Sequence, residues 1–308
     1  EEIVQPLREK FEVIMWHSEE IPMKYEDIKK EAKDCNALWT VLSDKVDREL
    51  IESLPILRII SNLAVGYNNI DIEAAKEKGI IVTNTPGVLT ETTADLTFAL
   101  LLATARRITE AEQDIRAGKW KSWTPMQLTG MDVYGSTLGI IGMGRIGEAV
   151  ARRAKGFDMK VLYHNRTRKL ESEQQYNFTY VELETLLKES DFVVILTPLT
   201  PETRGLIGKK ELEMMKETSA LINVARGGIV DEQALYDALV NKSIWAAGLD
   251  VFETEPVPLD HPLLTLPNVT VLPHIGSASI YTRLAMMQIN ATAIEDALEE
   301  RVPENRVV

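Results

Sequence analysis

Short runs of aliphatic and β-branched residues alternate with amphipathic stretches along almost the whole chain. Runs at 12–16, 37–42, 57–62 and 80–83 predict strands, and the segments 24–33, 47–53 and 70–78 predict helices between them. This β–α rhythm predicts a parallel sheet covered by helices. It breaks at Thr83-Asn84-Thr85-Pro86-Gly87, where a Pro-Gly pair after a strand marks a turn and a hinge. An apolar helix over 89–108 follows, apolar nearly all round, which predicts burial in a core or a subunit interface. A loop rich in Gly, Trp and Pro spans 117–130. The rhythm then restarts, with strands at 137–141, 160–163, 192–196, 220–224, 246–250 and 269–272. The matching helices fall at 146–156, 181–189, 209–216 and 232–240, and a closing helix at 280–299.

Two α/β blocks result, 1–84 and 85–273; by pattern the closing segment 274–308 could pack on either, and it is assigned to the first. A length of 308 residues agrees, because single cores stop growing at about 250–300 residues. The chain begins in what would be the first helix of its block, and without Met, so a first strand and some N-terminal residues are expected to be missing.

Charge narrows the partners. A net charge of −13 repels nucleic-acid backbones and anionic membranes, leaving a small anionic substrate held by local cations. One cysteine, Cys35, excludes an internal disulfide and fits a reducing cytoplasm. The most apolar stretch, 96–105, falls far short of the roughly 20 residues that span a bilayer. No metal site is visible.

The segment Gly142-Met143-Gly144-Arg145-Ile146-Gly147 carries G-x-G-x-x-G between an apolar strand and a helical pattern. In that context Gly142 permits a tight turn, Gly144 lets backbone approach a pyrophosphate, and Gly147 lets helix and strand pack closely. The helix N-terminus offers N–H groups and partial positive charge to phosphates. An acid is expected about 20 residues on for NAD, yet the next strand ends His164-Asn165-Arg166-Thr167-Arg168 and no acid appears until Glu171. Asn165, Arg166 and Thr167, with Arg168 nearby, suit a 2′-phosphate, so NADP(H) is expected to be preferred over NAD(H).

Three more segments end strands of the second block: Val224-Ala225-Arg226-Gly227-Gly228, Asp250-Val251-Phe252-Glu253-Thr254-Glu255-Pro256, and Pro273-His274-Ile275-Gly276. With the Gly-rich turn they resemble the D-isomer-specific 2-hydroxyacid dehydrogenase family, within it the glyoxylate/hydroxypyruvate reductases, from about Ala37 to the C-terminus. The resemblance implies a Rossmann cofactor domain, a flavodoxin-like substrate domain, an active site in the cleft, and a homodimer through the cofactor domains.

It also implies roles. His274 donates a proton to the carbonyl oxygen, Glu255 orients and charges the imidazole, and Arg226 binds the carboxylate and polarises the carbonyl. Chemistry alone would accept Glu253 in place of Glu255; the family pattern selects Glu255, just before Pro256. Backbone N–H groups of Val65 and Gly66 match positions that bind the substrate carboxylate. Arg145, Ile146, Thr197, Pro198, Val224, Ala225, Asp250 and Gly276 match cofactor contacts. The segment 123–128 is implied to reach a partner subunit's site, with Gln127 where some relatives carry Trp. His261, beside Pro262, reads as structural.

Rival readings within the family are 2-ketogluconate, phosphoglycerate and D-lactate dehydrogenases. A formate dehydrogenase fits poorly, since such relatives carry Gln where Glu255 stands. A dinucleotide-sensing corepressor of the same fold is the rival from another class, and the three catalytic residues do not exclude it.

Overall fold

The computed structural model describes residues 2–18 and 21–308. The chain forms two compact units, 1–89 with 278–308, and 90–277. These limits lie a few residues beyond those expected from sequence, and they place His274 in the second unit.

The first unit runs α1 (Gln5–Lys10), α2 (Tyr25–Glu31), β1 (Ala37–Thr40), α3 (Arg48–Ser53), β2 (Ile59–Asn62), α4 (Ile72–Glu77) and β3 (Ile81–Thr83). The strands form a parallel sheet in the order β1-β2-β3. Its register stacks Leu38, Ile60 and Val82 in one row and Ala37, Ile59 and Ile81 in the next. Because successive side chains leave opposite faces, the first row packs with Ile28, Leu50, Ile51 and Ala74 from α2, α3 and α4. The second row meets Ala293 and Ala297 of the closing helix. Asp47 and Asp71 start α3 and α4 by accepting from the N–H of Leu50 and Ala74. The expected strand at 12–16 does not form: those residues join no ladder, and Ile14 and Met15 lie exposed.

The second unit runs α5 (Thr90–Ala105), α6 (Ile108–Arg116), β4 (Thr137–Ile141), α7 (Arg145–Ala154), β5 (Lys160–His164), α8 (Leu170–Tyr176), β6 (Thr179–Tyr180), α9 (Leu183–Glu189), β7 (Phe192–Ile195), α10 (Lys209–Met214), β8 (Ala220–Asn223), α11 (Glu232–Val240), β9 (Ala246–Leu249) and β10 (Val269–Val271). The closing α12 (Ile280–Leu298) returns to the first unit. Seven parallel strands stand in the order β10-β9-β8-β7-β4-β5-β6. This is a doubly wound Rossmann sheet, whose strand order reverses between β4 and β7, the place where such sheets bind ligands. Ile140, Val194 and Ile222 pack on one face with α5 and α7. Ile141, Val193, Ile195 and Leu221 pack on the other with α9, α10 and α11.

The apolar helix expected over 89–108 is α5, which ends at Ala105, and a further helix that the pattern did not signal, α6, begins at Ile108. Arg107 adopts a left-handed conformation at φ 53° and starts α6. The Met131 N–H donates to the Ala105 carbonyl, and a side chain at Gly130 would collide with that oxygen, at 2.1 Å. Nor is α5 buried all round: Leu96 and Leu102 are half-buried, and Ala99 is exposed. Among the described residues no helix is long and apolar enough to cross a membrane.

Candidate active site

The Gly-rich turn follows β4 at the point of reversal. Gly142 has φ 103°, and a Cβ there would stand 2.6 Å from the Thr197 nitrogen. The turn therefore runs directly against the segment leaving β7, which carries Thr197 and Pro198. A Cβ on Gly147 would lie 2.3 Å from the Gly142 carbonyl oxygen, so strand and helix meet backbone to backbone. At Gly144, the N-cap of α7, a Cβ would meet nothing within 4 Å. That open approach, beside the unpaired N–H groups of the first turn at Arg145, Ile146 and Gly147, fits a dinucleotide pyrophosphate.

After β5 the chain folds back around a buried phenol. The Tyr163 hydroxyl donates to Glu173 Oε1 at 2.7 Å and accepts from the Lys169 N–H. Burial and the adjacent carboxylate push Tyr163 up to about 12. Arg168 forks onto both Glu173 oxygens at 2.7 and 2.6 Å, and this pairing, with the phenol, holds Glu173 down at about 2. Arg168, expected near a 2′-phosphate, is thus engaged by a carboxylate. Asn165 Nδ2 donates to the Thr167 carbonyl at 2.8 Å. Arg166 is exposed, and its charge acts with the Thr200 hydroxyl in holding Glu202 low.

Three loops at the carboxyl ends of β8, β9 and β10 interlock. Asn223 Oδ1 accepts from the Ala225 N–H and its Nδ2 donates to the Arg226 carbonyl, closing the turn that carries Arg226. Burial draws the Arg226 guanidinium below its ordinary value, while the Glu255 carboxylate acts in the opposite sense. Its Nη1 donates to the Ala225 carbonyl at 2.7 Å. Asp250, fully buried, accepts from the N–H groups of Ile275 and Gly276, each at 2.8 Å. Burial raises its carboxyl above the usual range against those bonds. The Asp250 carbonyl also accepts from the His274 N–H. These three bonds hold His274 at φ 53°, a left-handed conformation that costs a non-glycine residue about 1–3 kcal/mol. Gly276 nests among Asp250, Val224 and Thr93.

His274 Nδ1 lies 2.6 Å from Glu255 Oε2. An ionised carboxylate only accepts, so the ring donates through Nδ1–H. Glu255 Oε1 accepts from the Phe252 N–H at 2.9 Å. Burial alone would raise Glu255, but the His274 bond and charge, with help from Phe252 and Arg226, leave it below the usual value. Glu253, equivalent on chemistry alone, instead lies 3.9 Å from Arg204. Arg226, Glu255 and His274 thus share one electrostatic neighbourhood. Val65 and Gly66 follow β2 in the first unit, where Asn84 Nδ2 donates to the Val65 carbonyl and Asn62 Nδ2 to the Gly66 carbonyl. Sequence reasoning missed Asn223 and the carboxylate role of Asp250, because a buried polar side chain after a strand carries no pattern of its own.

Residues 98–276 match the family described as D-isomer specific 2-hydroxyacid dehydrogenase, NAD binding domain. A glyoxylate reductase of Korarchaeum cryptofilum is 52% identical over 302 residues, covering 98% of this chain and 91% of that protein. The chain belongs to the D-isomer-specific 2-hydroxyacid dehydrogenase family. Among solved structures, a Thermus thermophilus protein superposes with a TM-score of 0.93 at 44% identity, covering 100% of this chain and 97% of that one. An NADPH-dependent glyoxylate/hydroxypyruvate reductase of Sinorhizobium meliloti, in complex with NADP and malonate, gives 0.87 at 34% identity, covering 99% and 93%. As a 2-hydroxyacid dehydrogenase the chain is an NAD(P)-dependent oxidoreductase, with the Rossmann sheet as its dinucleotide domain.

Proposed function

We propose that this dehydrogenase reduces glyoxylate or hydroxypyruvate to the corresponding 2-hydroxy acid, the D-isomer where the product is chiral. The observation that carries the reading is the 2.6 Å bond between His274 and Glu255 with Arg226 near enough to lower the same carboxylate. Bound nicotinamide supplies the hydride. His274 gives the proton to the developing alkoxide through Nε2, since Nδ1 is committed to Glu255. Such general acid help contributes about 10²–10⁴ in rate. Glu255 fixes the tautomer and stabilises the imidazolium form. Arg226 binds the substrate carboxylate, and Val65 and Gly66 are assigned to substrate binding on the family resemblance alone.

NADPH is the preferred reductant in this reading. Its support is the exposed Arg166 beside Asn165 and Thr167, the absence of an acid at the end of β5, and the NADP bound by the S. meliloti relative. Thr197, Pro198, Val224, Ala225, Asp250 and Gly276 line the remainder of the cofactor's path. We also assign a homodimer through the second unit and a cytoplasmic location, the latter on the single cysteine.

The test is turnover by purified protein with glyoxylate, hydroxypyruvate, 2-ketogluconate, phosphohydroxypyruvate and pyruvate, each with NADPH and NADH. Highest kcat/KM with the first two substrates and NADPH is expected. No oxidation of either cofactor with any substrate would give the corepressor-like reading precedence. Equal efficiency with both cofactors would remove the role of Arg166.

A further inference from the structure

A second histidine–carboxylate pair lies directly behind the first. Glu232, the opening residue of α11, uses both oxygens: Oε1 accepts from the Glu253 N–H at 2.7 Å, and Oε2 lies 3.0 Å from His261 Nε2. Both side chains are mostly buried, at 16% and 18% exposure. The carboxylate requires Nε2–H as donor, and His261 Nδ1 is buried with no hydrogen-bond partner among the described residues. This ring cannot serve a substrate; it faces Glu232 through one nitrogen and presents its edge to Phe252, with ring centroids 5.9 Å apart.

What the pair grips is the turn that carries Glu255. Glu232 holds the backbone at Glu253, and one residue earlier the Phe252 N–H donates to Glu255 itself. On its other side the same backbone presses against Gly227, where a Cβ would stand 1.9 Å from the Phe252 carbonyl oxygen. Gly227 follows Arg226 directly. The turn is therefore wedged between the start of α11 and the Arg226 loop. Outside it, Arg204 passes over Gly228, its Nη1 3.2 Å from a Cβ built there, and faces the Glu253 carboxylate.

We propose that Glu232 and His261 are positioning residues for the reaction: they set the Phe252–Glu255 turn so that Glu255 backs His274 while the same backbone seats the Arg226 loop. One displacement of this turn moves the partner of the proton donor and the floor under the carboxylate-binding cation together. The proposal rests on the reductase reading above. An apolar pair in this place would fill the space but drop the carboxylate that anchors the Glu253 N–H, and with it the hold on the turn.

The experiment compares wild type, Glu232→Ala, Glu232→Gln, His261→Ala and His261→Gln with glyoxylate and NADPH. Cofactor affinity is measured by fluorescence, and the His274 ring by nitrogen-15 NMR, which a chain with four histidines resolves. Glu232→Ala is expected to lose on the order of 10²-fold in kcat, the scale of a misplacement near 1 Å, with unchanged cofactor affinity and a displaced His274 Nδ1 signal. Glu232→Gln keeps an acceptor for Glu253 and recovers most of the rate; His261→Gln, which keeps a donor at similar reach, does better than His261→Ala. Unchanged kcat and an unmoved His274 signal in both alanine variants would overturn the proposal, even if both melt earlier. Should Glu232→Ala not fold, the two His261 variants decide by the same criteria. Wild-type protein that fails to turn over defeats the reductase reading, while the NMR comparison still judges the positioning.

Discussion

His274, the proposed proton donor, is held by two acidic residues: the Glu255 carboxylate accepts from its ring and the Asp250 carbonyl from its N–H, while the Asp250 carboxylate accepts from the N–H groups of Ile275 and Gly276. His274→Ala should reduce kcat by at least about 10²-fold, with NADPH affinity unchanged; retained turnover would remove its assigned role. Asp250→Asn keeps the bulk but replaces one acceptor by a donor facing an N–H, so kcat and melting temperature should fall together. Glu173 offers a pH test. Its folded value of about 2 lies below the ordinary value of about 4.3, so the folded chain binds that proton less readily than the unfolded one. Its contribution is complete above the unfolded value and is lost as pH falls toward 2. The melting-temperature advantage of wild type over Glu173→Gln should therefore hold near neutrality and vanish between about pH 4 and pH 2. At this scale sequence reading reached far but not evenly. Arg226 and His274 stood out by following buried strands, whereas choosing Glu255 over Glu253 required the family pattern. Arg168 looked available for a phosphate because its partner Glu173 sits on a helix, α8, that the polar run Glu171-Ser172-Glu173-Gln174-Gln175 did not signal.

Among elements, the sharpest constraint is the crossing of the Gly-rich turn with the end of β7. Gly142→Ala adds a Cβ 2.6 Å from the Thr197 nitrogen at a φ that L-residues avoid. Loss of about 1–3 kcal/mol from the backbone alone is expected, read as a lower denaturant midpoint, together with weaker NADPH binding. Most strands and helices of the second unit were legible because strands such as β4, β7 and β8 are short, apolar and followed by amphipathic helices, whereas α8 and β6 were not; 137–141 and 232–240 match to the residue. The failures share a cause. The run at 12–16 has strand-like residues but no ladder, and hydrogen-bonded neighbours, not residue preference, make a strand. The break after Ala105 has no Pro or Gly within the helix; it is imposed by Gly130 and Met131, distant in sequence.

For the molecule as a whole, the net charge of −13 and the exposed apolar side chains make separate predictions. Trp120, Trp123 and Met126 are exposed on the loop after α6, and α5 leaves Ala99 uncovered beside Leu96. Buried in a homodimer, these would account for an apolar surface on an otherwise acidic protein. Light scattering at micromolar concentration should give twice the chain mass of 34.6 kDa, and Trp123→Asp should shift it toward one chain; a wild-type monomer would refute the assignment. The acidic field repels a 2-oxo acid at long range, so KM should fall as salt rises from low to physiological concentration.

The return of α12 to the sheet that α2, α3 and α4 already cover on its other side has a consequence for synthesis. While the ribosome works through residues 90–277, the nascent first unit holds Ile59 and Ile81 without the helix that shields them. At about 5–20 residues per second that interval lasts roughly 10–40 s. The continuous second unit can fold as it emerges, whereas the opening segment waits for α12, so its completion follows that of the second unit rather than preceding it.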